Sequence, residues 1–201
     1  MDINRIDKQF DFIKEIDKEK EIFRQTYLSD ASRKENDAEH AWHMAIMTYL
    51  LSEYSNDKID VSKTMIMLLI HDIVEIDAGD TYAYDENSKK GQRQRELLAA
   101  QRIFGLLPDD QARKLYSLWN EFEEAKTPEA RFARAMDNLH PMMLNAASEG
   151  KAWSEHNVVL SAILKRNKLT PSGSEILWKY AENIWIKPNV ENGKIIDDTI
   201  L

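Results

Sequence analysis

Apolar residues recur at spacings of three and four along almost the whole chain, and the residues that would interrupt such a pattern are few: 6 glycines and 5 prolines in 201 positions. That period is the helical one. No convincing strand is visible, so the fold class expected is all-α, a bundle of consecutive helices joined by short turns. A chain of this length can bury one core, and no repeat, low-complexity tract or linker divides it. One domain is expected over residues 1–201, with its core at about 12–187 and a loose tail at 188–201.

The first helical pattern runs from about Arg5 to Arg24, striped by Phe10, Ile13 and Ile16 and extended by Phe12 and Phe23. A polar stretch from Ser29 to Asn36 then breaks it. Asn36 or Asp37 can cap a second helix that carries Trp42, Ala45, Ile46, Tyr49 and Leu50, with His40 in its first turn. Ser62 is read as the cap of a third helix, whose segment Met65–Ile70 is apolar on every side and therefore belongs among other helices. Asp77 to Lys90 reads as a loop around the turn signal Ala78-Gly79-Asp80, leading into a helix near Gln92 to Leu106. Pro108 and Asp109 open the next, with Leu115, Leu118, Trp119 and Phe122 facing inward. Thr127-Pro128 starts the helix that carries Asp137. Pro141 cannot donate to the Asp137 carbonyl, which predicts a kink or a loosened turn there. Ser154 and Thr170-Pro171 open two final helical stretches, and Pro188 with Gly193 ends the second.

The chain has no cysteine, which removes disulfides, thiolate ligands and cysteine nucleophiles; a metal here must take imidazole and carboxylate ligands. The charged N-terminus lacks a signal-peptide core and no apolar run reaches membrane-spanning length, so a cytoplasmic protein with no membrane partner is expected. A net charge of -8 argues against a nucleic-acid polymer as partner. A small anionic ligand needs only a few local cations or a metal.

The most informative polar residues are His71-Asp72, at the end of the apolar helix, where an ionised carboxylate without a partner would be costly to bury. Were the helix to continue, Glu75 would lie one turn on and face the same side. Nitrogen and carboxylate ligands together suit Zn, Mn, Fe, Co or Ni, and two His with two Asp leave positions open for water and substrate. A bound divalent ion can turn water into hydroxide near neutral pH and offset charge on a phosphoryl oxygen.

The pattern of His40 in AEHAWHMA, the pair in LLIHDIVEIDAGD and Asp137 in RAMDNLHP resembles the HD-domain metal-dependent phosphohydrolases. Within them it is most similar to the 5'-deoxynucleotidase branch that includes the HD-domain-containing protein 2 type, over about Phe12 to Gly150. The string HDxxExxxGD, with a capped helical His before it and an Asp well after it, makes the resemblance specific. It implies one divalent metal ion (Mn, Co, Zn, Fe, Ni or Mg) held by His40, His71, Asp72 and Asp137. It also implies hydrolysis of a small phosphomonoester, a (deoxy)nucleoside 5'-monophosphate first among them, by a metal-bound water. Glu75 and Asp80 fall on the acidic positions that orient the water and handle the leaving-group proton. Arg24, in EIFRQ, falls on the arginine that meets the substrate phosphate. Gln25 stands where characterised deoxynucleotidases carry a tryptophan, which leaves deoxyribose against ribose open. A homodimer is implied as well, with Leu177, Trp178, Ile184, Trp185 and Ile186 as apolar surface for it or as cover for the domain.

Other readings stay in view. Another phosphate compound, a sugar phosphate or an alarmone, is the first alternative; a non-catalytic metal- or nucleotide-binding regulatory module is the second. The cyclic-dinucleotide and di-iron oxygenase branches need more histidines than the 5 present. His43, His140 and His156 are read as structural, with His140 close enough to Asp137 to reach the same cavity. Asp77 is read as a turn residue and Lys89, Lys90, Arg93 and Arg95 as a solvated basic face. One of the five tryptophans could stack a base.

Overall fold

The structure is a computed structural model that describes residues 2–79 and 91–199. Helix α1, Ile3–Ile16, is capped by Asp2, whose carboxylate accepts from Arg5 N. It is shorter than its apolar pattern. The chain tightens into a 3-10 turn at Asp17–Glu21 and then extends as β1, Phe23–Tyr27, which pairs antiparallel with β2, Lys34–Asn36. This ribbon is the one departure from an all-α fold among the described residues, and the polar stretch is its turn: Ala31 sits at positive φ and Leu28 N donates to Arg33 O at 2.9 Å. Phe12 is the buried residue of α1, whereas Phe10, Ile13 and Phe23 are exposed.

The ribbon hands the chain to α2, Asp37–Leu51, through a capping box in which Asn36 and Glu39 satisfy each other's backbone amides. Helix α3, Val61–Ile70, is capped by Asp60 rather than Ser62, and it is not enclosed: Ile66 and Leu69 are exposed. Trp42, Ile46, Tyr49 and Leu50 on α2 are exposed too. A tight turn through His71 and Asp72 leads to α4, Glu75–Ala78, closed by Gly79 at φ 78°.

Helices α5, Gln92–Phe104, and α6, Asp109–Glu124, build one apolar cluster with Phe12, Ile70, Ile73, Val74 and Trp119. The second and larger cluster surrounds α7, Pro128–Ala147, which opens at Thr127 with Pro128 in the first turn and runs on through Pro141 as a helix. After Gly150 come α8, Lys151–Glu155, and α9, Leu160–Arg166; Ser154 lies inside α8 rather than opening a helix. Helix α10, Thr170–Gly173, packs so tightly on α7 that a Cβ on Gly173 would stand 2.3 Å from the Arg131 carbonyl oxygen. Ser174 caps α11, Glu175–Ala181, which passes through a π turn, Glu182–Ile186, into α12, Lys187–Glu191. Pro188 sits in the first turn of α12 instead of ending a helix.

The segment expected to be a loose tail is tied down. Ile195 is 1% exposed, Leu160 N donates to Ile196 O at 2.8 Å, and the Asp198 carboxylate accepts from Ser161 N at 2.9 Å. The apolar pair Ile195-Ile196 amid polar neighbours was the signal. Trp178, Trp185 and Leu177 lie against the larger cluster and Ile186 is within it, so most of the C-terminal apolar set covers the core, while Ile184 stays exposed.

Candidate active site

Three elements meet behind the ribbon. The first turn of α2 supplies His40, the turn after α3 supplies His71 and Asp72, and the middle of α7 supplies Asp137. The side chains of His40, His71 and Asp137 are almost fully buried, with Asp72 nearly so. His40 Nε2 lies 3.3 Å from Asp137 Oδ1 and 3.9 Å from Asp72 Oδ2. His71 Nε2 lies 3.0 Å from Asp72 Oδ2 and 3.7 Å from Asp137 Oδ1. Two nitrogens and two carboxylate oxygens therefore face one point.

His71 shows what that point is suited to. Its Nδ1 donates to the Leu68 carbonyl at 2.9 Å, which turns Nε2 toward the carboxylates, yet Nε2 is buried and has no hydrogen-bond partner. A nitrogen 3.0 Å from one carboxylate oxygen and 3.7 Å from another stands where a ligand atom would stand, and a hydrogen bond on Nδ1 is the usual way a protein orients a metal-binding imidazole. His40, His71 and Asp72 also present ligand atoms within 4.8 Å of one another. The donor set fits a divalent ion.

The charges agree with that fit. Burial opposes ionisation of Asp72, but His71 and Arg24 hold its carboxyl far below the usual range, and Asp137 is lowered against burial by His40 and His71. Burial disfavours charge on His71, yet Asp72 and Asp137 raise its pKa to about 10. The two carboxylates draw positive charge to this spot. Burial and the Arg24 guanidinium lower His40 to about 4, which keeps it neutral.

His71, Asp72 and Asp137 line a cavity of about 430 Å³ whose wall also includes Arg24, Gln25, Glu75, Asn138 and Trp153, while His40 lies outside that lining. Its size suits a small molecule.

Residues 16–178 match the model of the family described as HD domain. This chain belongs to the HD domain family. The HD domain protein is 45% identical to a solved structure from Magnetospirillum magnetotacticum MS-1 described as a predicted metal-dependent phosphohydrolase, with a TM-score of 0.91 over 96% of each chain. It is 30% identical to the human 5'-deoxynucleotidase HDDC2 over 118 residues, 59% of this chain and 56% of that one. The zebrafish (Danio rerio) HDDC2 is 30% identical over 135 residues, 67% of this chain and 66% of that one. The chain thus spans little more than half the length of the human relative it matches.

Within this HD domain, the other expected site residues divide. Glu75 lines the cavity, carried there by a turn in which Glu75 N donates to Asp72 O at 2.8 Å rather than by a continuous helix. Asp80, like Lys89 and Lys90, lies outside the described residues. Arg24 lines the cavity, and its Nη1 donates to Asp72 Oδ2 at 2.7 Å and to Asp37 Oδ1 at 3.2 Å. Burial opposes its charge, but these acids raise its pKa well above the ordinary value. Gln25 reaches the wall with its carbonyl accepting from Lys34. Asp77 points elsewhere, to Arg102 at 2.7 Å, and His43 and His140 are absent from the lining.

Several lining residues were missed by reading the sequence for motifs. Arg134, Asn138, Pro141 and Asn145 share one face of α7 with Asp137, a face that helical spacing counted from Asp137 would have given. Arg134 stacks on Phe122 at 4.1 Å and reaches Asp137 Oδ2 at 3.7 Å. Arg93, read as part of a solvated face, lines the cavity over the Trp119 ring. Arg166 and Trp153 come from helices with no sequence link to the motif; Trp153 is the one tryptophan in the described lining.

Proposed function

We propose that this protein is a metal-dependent phosphohydrolase that releases phosphate from a small phosphomonoester, with a (deoxy)nucleoside 5'-monophosphate as the leading substrate. The observation that carries this reading is the convergence of His40 Nε2, His71 Nε2, Asp72 Oδ2 and Asp137 Oδ1 on one point, with both imidazoles buried. These four residues hold one divalent ion, whose identity among Mn, Co, Zn, Fe, Ni and Mg is left to measurement. Such an ion supplies an acidified water and offsets phosphoryl charge.

The chain's own residues do the rest. Glu75, on the cavity wall beside the acid pair, orients and deprotonates the attacking water, and Asp80 assists the leaving oxygen. Arg24 offers a planar guanidinium to the phosphate oxygens. Gln25 stands on the wall and bears on the choice of sugar. The nucleotide assignment rests on the likeness to the HDDC2 enzymes. A cytoplasmic location belongs to this reading, and no helix of the described residues is long and apolar enough to cross a membrane. The homodimer implied by the resemblance belongs to this reading, with exposed Trp42, Tyr49 and Leu50 of α2 as surface it would cover.

The test is phosphate release from deoxyribo- and ribonucleoside monophosphates and sugar phosphates by metal-stripped protein resupplied with single metals, with Asp72→Ala as control. Release that needs added metal and disappears in the control is expected. Glu75→Gln should bind metal as before and lose turnover by about 100-fold or more; unchanged turnover would remove Glu75 from the mechanism. Metal binding without release from any of these substrates would favour the regulatory module.

A further inference from the structure

Behind the candidate metal site, on the side away from the cavity, three imidazoles stand in line. His40 Nδ1 is 2.9 Å from His140 Nδ1, and His140 Nε2 is 3.0 Å from His43 Nδ1. His40 and His140 are fully buried and His43 is half-buried. The ring planes are inclined at 65° and 81°. Glu35, beside the two Nδ1 atoms, stands outside hydrogen-bond reach of them, with Oε1 3.7 Å from His40 Nδ1 and 3.8 Å from His140 Nδ1.

Each of these two contacts needs one proton between its nitrogens, and a neutral imidazole carries only one. That leaves two self-consistent arrangements. In one, His43 Nδ1–H donates to His140 Nε2, His140 Nδ1–H donates to His40 Nδ1, and His40 Nε2–H donates to Asp137 Oδ1, 3.3 Å away. In the other, every donor becomes an acceptor: His40 donates from Nδ1 to His140, His140 donates from Nε2 to His43, and His40 Nε2 is bare. Only the second leaves a lone pair for an ion.

We infer that His140 and His43 are positioning residues for His40, and that loading a divalent ion onto His40 Nε2 reverses the direction of donation along all three rings. This rests on the reading of His40 as a ligand. The protons balance: those between the rings shift to the opposite nitrogen, the one on His40 Nε2 leaves to solvent, and His43 Nε2 takes one up. The net charge of the three rings is unchanged. Partner bonds of this kind orient a ligating imidazole and raise its basicity; here the partner is a second imidazole anchored by a third, so the half-buried ring at the end registers the state of the buried one. Sequence reading missed this because it weighed His43 and His140 separately against the metal site and not against each other.

The experiment is nitrogen-15 NMR of the five imidazoles in the full chain, metal-stripped and then titrated with Zn²⁺, with site-by-site assignment. The expected result is a Zn²⁺-loaded state with protons on His40 Nδ1, His140 Nε2 and His43 Nε2, and a stripped state with the opposite set. If His40 and His71 show coordination while His140 and His43 keep their tautomers, the inference is overturned and the metal reading stands. If neither His40 nor His71 shifts, both fall. A second equivalent of Zn²⁺ held by Glu35, His40 and His140, whose ligand atoms lie within 4.8 Å of one another, would also overturn it. As an independent arm, His140→Phe should lower Zn²⁺ affinity about 10- to 100-fold, the range seen when partners of metal ligands are removed. Should that variant not fold, His43→Phe, at the half-buried end, should lower affinity several-fold at unchanged Tm; wild-type affinity would refute the role.

Discussion

Glu19 gives the sharpest test of how this protein tolerates its buried charge. It sits in the 3-10 turn between α1 and β1, is almost fully buried, and its Oε1 has no hydrogen-bond partner. Burial raises its pKa to about 8, reinforced by the negative charges of Asp72 and Asp37 and opposed by His71. The folded protein therefore holds a proton that the unfolded chain has released, over the window between the ordinary glutamate value and about 8. Stability must fall as pH rises through that window, because the native state there binds more protons than the unfolded state. A rise from 4.5 to about 8 corresponds to about 5 kcal/mol as an upper limit. Local relaxation and water entry reduce this to roughly 2–3 kcal/mol.

Glu19→Gln removes the titration while keeping the shape. Thermal unfolding of metal-stripped protein followed by circular dichroism should give similar Tm values for the two proteins at pH 5. At pH 8.5 the Gln variant should be higher by roughly 5–10 °C, given about 2–4 °C per kcal/mol for a chain of this size. Other titrating groups are common to both proteins and cancel in the comparison. Parallel Tm curves from pH 5 to pH 9 would refute the reasoning. Loading a divalent ion should shrink the gap at pH 8.5, because positive charge beside Asp72 lowers the cost of ionising Glu19.

The ion itself should stabilise the fold by mass action, with about 3 kcal/mol expected at a hundredfold excess over Kd. Asp72→Ala should lose that metal-dependent rise in Tm while remaining folded without metal, and an equal rise in both proteins would place the ion elsewhere. Gly173→Ala would drive a Cβ to 2.3 Å from the Arg131 carbonyl oxygen and 2.9 Å from the Ala135 Cβ, so a loss of about 1–3 kcal/mol in urea unfolding is expected, and wild-type stability would show that α10 can retreat from α7 freely. Arg24 is held by Asp72 and Asp37 in the metal-free chain; inorganic phosphate should therefore bind more tightly after metal loading, as read by calorimetry, and Arg24→Met should weaken that binding about tenfold.

Sequence periodicity revealed the helices that are amphipathic and long, and motif spacing brought out His40, His71, Asp72 and Asp137 because each sits at a helix start, a helix end or a mid-helix position that a short pattern can carry. What it hid has physical causes. The ribbon Phe23–Tyr27 with Lys34–Asn36 is too short and too polar to show a period of two. Glu75 was expected on a continuous helix and instead arrives by a turn, since His71 closes α3. Ile195 looked like part of a tail because one adjacent apolar pair, Ile195-Ile196, carries no period, yet Ile195 is buried in the larger cluster. The exposed face of α3 was read as enclosed because apolar periodicity does not say what covers it.

The net charge of -8 does not exclude an anionic substrate, because the relevant charge is local: exposed charges farther than about 8 Å are largely screened at physiological salt. Among the described residues lining the cavity, Arg24, Arg93, Arg134 and Arg166 face Asp72, Glu75, Glu96, Glu123 and Asp137. Burial raises the pKa of Glu96, helped by Glu123, so its charge is the weakest of these. Without an ion the wall is close to neutral and its arginines are engaged by acids: Arg24 by Asp72, Arg93 and Arg134 by Glu123. Adding two positive charges at the floor turns the cavity net positive and competes with Arg24 for Asp72. The ion is then the condition for an anion to enter, and the order of binding follows from electrostatics rather than from any moving part.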